Sequence, residues 1–193
     1  MRVERIITGV KTLGPGNRLV IFTNGCRKRC PGCVSQRLQK FDKRTEIDVI
    51  EAIKEFSLAN VDGVTISGGE PFIQEKELAK LVRYFNDQSI DDILIYSGYT
   101  LKQLQNKNNL DINYVLDNIG VLIDGPYIQD KNDNTGNLKG SSNQSIIFIR
   151  EGLKEKYDNY FKIERSCQEF TVGNIKIGIG IPTSEYINDF KKE

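Results

Sequence analysis

Five apolar runs of strand length punctuate this chain, and they limit its fold more than any other feature. They are Arg18–Thr23, Gly63–Ser67, Ile93–Ser97, Gly120–Ile123 and Ser145–Ile149. Most are nearly continuous in Val, Ile and Leu instead of alternating with polar residues. Such runs suit strands covered on both faces, as in parallel sheets. Further strands are expected at Arg2–Gly9 and Asn174–Ile181. Helical patterns sit between the runs. Over Glu46–Asn60, Thr45 is read as the N-cap and Asp48 as the acidic member of a capping box, with Ile50, Ile53 and Phe56 on the apolar face. Glu75–Ser89 aligns Leu78, Leu81, Val82 and Phe85, and Thr100 caps a short helix through Leu104. Gln129–Ser142, rich in Asn, Asp, Gly and Ser, reads as a long loop.

Alternating strands and helices build βα units around a parallel sheet. Five such strands cannot close an eight-stranded barrel. The expectation is an α/β fold of the open, partial-barrel kind with mostly parallel strands. At 193 residues the chain reads as a single domain, 1–193, with a core over about 1–150 and a C-terminal extension over 151–193 where the pattern changes.

Charge and composition exclude several classes. With 27 basic and 26 acidic residues the net charge is +1, which argues against a protein built to hold nucleic acid through phosphates. No apolar run is long enough to span a bilayer, and the charged N-terminus MRVERIITGV is unlike a signal peptide, so the expected location is the cytoplasm. Histidine is absent altogether. That removes Ser-His-Asp and Cys-His catalysis and His-ligated zinc.

Chemistry must therefore come from other groups, and the cysteines stand out. Three of the four, Cys26, Cys30 and Cys33, lie in GCRKRCPGC directly after the run Arg18–Thr23. In a reduced compartment clustered cysteines mean a metal site more often than a disulfide. Three thiolates without a nearby fourth would leave one iron of a four-iron cluster open to a small ligand. A structural zinc that recruits the distant Cys167 is the alternative, and a chance group of inert thiols the other. Lys28 and Arg29 either form a solvated charge pair or tune the metal site.

A second signal follows the next strand: Ser67-Gly68-Gly69-Glu70-Pro71. Two glycines permit a sharp turn or a close backbone approach, and Pro71 fixes the exit. By itself such a triplet is usually only a turn.

Taken together, the C-x-x-x-C-x-x-C spacing and the Gly-Gly-Glu-Pro turn resemble the radical SAM superfamily. The CPGC sequence, Leu13-Gly14-Pro15-Gly16, Ser97-Gly98-Tyr99, Leu122-Ile123-Asp124-Gly125 and Gly140-Ser141-Ser142-Asn143-Gln144 narrow the likeness to the glycyl-radical-enzyme activases that serve anaerobic ribonucleotide reductase. The match runs in order from about Leu13 to Gln144. It implies a radical SAM partial barrel in which Cys26, Cys30 and Cys33 hold a [4Fe-4S] cluster and S-adenosylmethionine binds the open iron. Gly68, Gly69 and Glu70, followed by Pro71, would meet the methionine amine. Reductive cleavage would give a 5′-deoxyadenosyl radical that installs a glycyl radical on a protein partner. An external electron donor is required, and no catalytic residue is implied beyond the cofactor ligands. Ser97 would bond ribose or carboxylate, or else cap a helix; Asp124 ends a strand on the same side, or else serves the turn at Gly125. Ser142 and Asn143 would touch adenosine or the partner, or else lie in a solvated loop. Tyr99 would stack on adenine or pack. Glu70 departs from the activases, which often carry Asp there, and the extension 151–193 has no counterpart in the likeness. A small maturase acting on a peptide, docked along Asn174–Ile181, is the competing reading.

Overall fold

A computed structural model describes residues 1–183 and 185–186. Its centre is a six-stranded sheet: β1 (Val3–Val10), β2 (Arg18–Thr23), β3 (Gly63–Gly68), β4 (Ile93–Tyr96), β5 (Val121–Asp124) and β6 (Ser145–Phe148), paired in chain order. The pairs β2–β3, β3–β4 and β4–β5 are parallel, whereas β1 and β6 run antiparallel at the two edges. Every strand named from the apolar runs is present to within one or two residues. The fold is mixed α/β with a mostly parallel central sheet.

Burial explains the continuous apolar runs. Leu19 and Ile21, Val64 and Ile66, Ile93 and Ile95, and Leu122 face one side, where they pack on α1 (Val49–Lys54), α2 (Glu75–Asp87) and α4 (Leu110–Asn118). Their neighbours Val20, Leu94, Val121 and Ile123 face the other side. That second side is covered by the C-terminal residues: Tyr157 and Tyr160 of α5 (Lys154–Tyr160), and Ile179 of the antiparallel hairpin β7 (Cys167–Val172) and β8 (Ile175–Gly180). No helix among the described residues is long and apolar enough to cross a membrane.

At the N-terminal ends of the strands a buried polar knot joins the extension to the sheet. Arg18, fully buried, donates to both carboxylate oxygens of Asp92 at 3.0 and 3.1 Å, to Thr65 Oγ1 at 2.7 Å and to the carbonyl of Val64 at 2.7 Å. The same carboxylate accepts from Lys156 Nζ and Tyr157 Oη, both at 2.7 Å. Burial opposes the charge on Asp92, but the Arg18 guanidinium outweighs it and holds the carboxyl below its usual range.

Helix α1 is shorter than its periodicity suggested, and its cap is different. Asp48 is the N-cap, accepting from the amides of Ile50 and Glu51, while the Thr45 hydroxyl donates to the Asp42 carbonyl in a preceding turn. Helix α2 stops at Asp87, because Ser89 adopts φ +59. Thr100 caps α3 (Leu101–Gln105) with the reciprocal Gln103 bond of a capping box, as its position suggested. Helices α4 and α5 and strand β7 carry no strong signal: α4 mixes its apolar face with Asp and Asn, and α5 is mostly polar apart from Tyr157 and Tyr160.

Candidate functional site

Because β2 to β5 are parallel, the loops that follow them meet at one edge of the sheet, the place where open α/β sheets bind ligands. The loop after β2 carries the cysteines. It folds back on itself, with Gly25 N donating to the Leu38 carbonyl at 2.7 Å and Cys26 N to the Gln39 carbonyl at 3.1 Å. Cys26, Cys30 and Cys33 are free, partly exposed thiols. Burial pushes the thiols of Cys26 and Cys33 up from their ordinary value, against backbone N–H groups that favour the thiolate.

The turn after β3 is fitted against that loop. Gly69 N donates to the Thr23 carbonyl and Glu70 N to the Gly25 carbonyl, at 2.8 and 2.9 Å. Gly68 sits at φ +99, and a Cβ there would lie 2.6 Å from the Thr23 carbonyl oxygen. At Gly69 a Cβ would collide with the Gly25 carbonyl. Both glycines are thus required by the approach of two backbones.

Glu70 is 1% exposed and serves as a brace. One oxygen accepts from Phe72 N at 3.1 Å and from Ser97 Oγ at 3.0 Å, and the other from Gly98 N at 2.7 Å. Burial raises its pKa against the pull of these three donors. A carboxylate has about four acceptor positions, so these three donors leave capacity for one more. Ser97 is spent between Glu70 and the Tyr99 amide, which its oxygen accepts at 3.0 Å. It caps no helix.

One cavity gathers the three cysteines, Gly68, Gly69, Glu70 and Ser97. Its volume is about 180 Å³, and it is partly open to solvent. Among the described residues no three His, Cys, Asp or Glu side chains converge on a single-ion site. A four-iron cluster asks for something else, since each thiolate takes a different iron of a larger body. Three thiols from one loop, opening into one cavity with no fourth cysteine lining it, fit that donor set. Cys167 begins β7 and does not line the cavity; burial raises its thiol to about 11.

The remaining sequence-expected residues lie apart. Pro71 is buried in the turn that Glu70 caps. The Asp124 carboxylate accepts from Leu101 N at 2.7 Å, so it holds the start of α3, and it is not part of the cavity lining. Ser142 and Asn143 border a separate shallow cleft with residues 130–133. Their neighbour Gln144 lines the main cavity instead, donating to the Gly125 carbonyl and accepting from the amides of Gly140 and Ser141. Both Lys28 Nζ and Lys107 Nζ sit 3.9 Å from the Tyr99 ring centre, so that ring packs against cations. Sequence reasoning missed Tyr96, Tyr127, Arg165, Ile181 and Pro182, which complete the walls. A tyrosine inside a strand and residues of an unmapped extension carry no signal of this kind.

Residues 12–147 match the family described as 4Fe-4S single cluster domain. Anaerobic ribonucleoside-triphosphate reductase-activating proteins are similar over most of their length. That of Escherichia coli is 32% identical over 146 residues, covering 71% of this chain and 92% of the relative. That of Salmonella typhimurium is 34% identical over 146 residues with the same coverage. The protein of Enterobacteria phage T4 is 30% identical over 163 residues, 79% of this chain and 97% of its own.

Proposed function

The chain belongs to the 4Fe-4S single cluster domain family, and on that premise we propose that it is a radical SAM activase for an anaerobic ribonucleotide reductase. The observation that carries this reading is the shared cavity of Cys26, Cys30, Cys33 and the Gly68–Gly69–Glu70 turn. Likeness to proteins named as reductase-activating supports the partner. In this reading the sheet is the open βα barrel of that superfamily, the chain is one domain with a core over 1–150 and an extension over 151–193, and it works in the cytoplasm with an external electron donor.

When bound together, the [4Fe-4S] cluster and S-adenosylmethionine supply one-electron cleavage of the sulfonium, giving methionine and a 5′-deoxyadenosyl radical that takes a hydrogen atom from a glycine of the partner. Cys26, Cys30 and Cys33 hold the cluster. The backbone of Gly68 and Gly69 and the free acceptor position of Glu70 receive the ligand's amine. Ser97 and Gly98 N hold the Glu70 carboxylate in place at the cavity wall. Pro71 sets the turn, Asp124 anchors α3, and Ser142 and Asn143 contact the partner at the rim.

The test is low-temperature EPR on anaerobically reconstituted, reduced protein. A [4Fe-4S]⁺ signal that changes on adding S-adenosylmethionine, followed by a glycyl radical on the reductase, is the expected result. Retained zinc with no cluster signal refutes it.

A further inference from the structure

The charge of this chain is strongly uneven. Residues 26–45 hold seven Lys and Arg against one Asp, a net +6 in a chain of +1, which leaves −5 for the rest. This segment is the loop that carries the three cysteines. Arg27, Arg29, Lys40 and Lys43 are exposed and form no salt bridge among the described residues. Two of the other cations are engaged within or beside the loop, Arg37 with Glu4 and Arg44 with Asp42.

Amid these cations the loop exposes two large apolar side chains, Val34 at 64% and Phe41 at 48%. Apolar centres within a polar rim are the anatomy of protein interfaces, and redox encounters occupy the small end of the size range. A second cleft reaches the loop from outside, lined by Arg5, Cys33, Val34 and Arg37 among others. Cys33 lines this outer cleft and the inner cavity alike. One thiol-bearing stretch therefore lies between the outer cleft and the place of the cluster.

We infer that the outer face of residues 26–45 is the docking surface for an acidic one-electron donor protein, with Cys33 at the point of electron entry. This rests on the cluster reading above. The occupant follows from charge: an acidic surface is drawn to a +6 segment, while the rest of this chain carries a net −5. In the step, one electron leaves the donor's reduced redox centre and enters the cluster; no bond forms or breaks and no proton moves.

The experiment follows bleaching of the iron–sulfur absorbance in stopped flow, on the full reconstituted chain. The probe is a photoreduced flavodoxin, an acidic protein with one FMN, compared with photoreduced deazaflavin, a small donor that needs no docking. Lys40→Glu/Lys43→Glu lowers the segment from +6 to +2 at two exposed positions. Lys40→Gln/Lys43→Gln serves as the milder second variant. Steering of this kind changes association rates by ~10–10³-fold and is weakened by salt. The expected result is flavodoxin reduction at least ~10-fold slower in the reversed variant, an intermediate loss in the neutral one, a steep decline with salt in the wild type, and unchanged deazaflavin rates. Equal flavodoxin rates in all three proteins overturn the inference. So does normal flavodoxin reduction combined with lost binding to the reductase, which assigns the face to that partner. Wild-type protein without any bleachable chromophore, even under deazaflavin, overturns the cluster reading and this inference with it, and is recognised by that control.

Discussion

Replacing Asp92 by Asn tests how the C-terminal residues are held to the sheet. The carboxylate takes four hydrogen bonds: two from Arg18, one from Lys156 and one from Tyr157. Arg18 is wholly buried, so the substitution leaves a desolvated cation facing neutral acceptors and sets the new amide hydrogens against existing donors. Removing one partner of a buried pair costs ~3–5 kcal/mol, a large share of the ~5–15 kcal/mol that holds a domain together. At ~2–4 °C per kcal/mol for a chain of this size, Tm should fall by roughly 6–20 °C. Urea unfolding followed by circular dichroism measures the cost directly. Lys156→Ala is the control: that side chain is 36% exposed, and its loss should cost under ~1 kcal/mol. The pH dependence has a definite sign. A depressed folded pKa means the contribution is complete above the unfolded value near ~3.9 and is lost as pH falls through the lower folded value. Wild type should therefore lose stability relative to Asp92→Asn in that acidic window alone. An Asp92→Asn protein within ~1 kcal/mol of wild type at pH 7, with the same urea slope, would refute the reasoning.

Three further outcomes can be checked. Replacing Cys26, Cys30 or Cys33 with Ala should abolish the iron–sulfur absorbance after reconstitution, while Cys167→Ala keeps it; metal loss in the Cys167 variant would favour a four-cysteine zinc site. Gly69→Ala forces a methyl into the Gly25 backbone and should cost ~1–3 kcal/mol by the overpacking rule, together with the ligand-dependent EPR change. Ser97→Ala removes one donor to Glu70 and one acceptor for the Tyr99 amide, and should lower stability by ~1–3 kcal/mol while weakening S-adenosylmethionine binding measured by calorimetry.

How far the sequence speaks depends on what each element needs from its neighbours. Strands β2 to β5 are buried on both faces, so their apolar runs announce them and their parallel pairing follows. The cysteines and the Gly68–Gly69 turn are legible because their chemistry and backbone geometry leave few alternatives. Glu70 and Ser97 follow adjacent strands and both line the cavity, but the bond between them depends on β3 and β4 lying side by side. Asp124 was read from its strand end, yet its direction was decided by the N-terminus of α3. Ser142 and Asn143 sit one residue from Gln144, which alone of the three lines the main cavity; no local pattern distinguishes neighbours in a loop. Helix α5 and strand β7 went unread because tertiary contacts hold them: Tyr157 finds its partner in Asp92, 65 residues away.

The order in which this site is synthesised follows from the wall contributed by Arg165 and residues 180–182. The thiols leave the ribosome first and their enclosure last. At ~5–20 residues per second, about 147 residues separate Cys33 from Gly180, a delay of roughly 7–30 s. Throughout that interval three reactive cysteines stand in an incomplete cavity, open to metal delivery and equally open to oxidants. Loading of the nascent chain and damage to it thus compete within that interval, before the hairpin β7–β8 adds the last part of the wall.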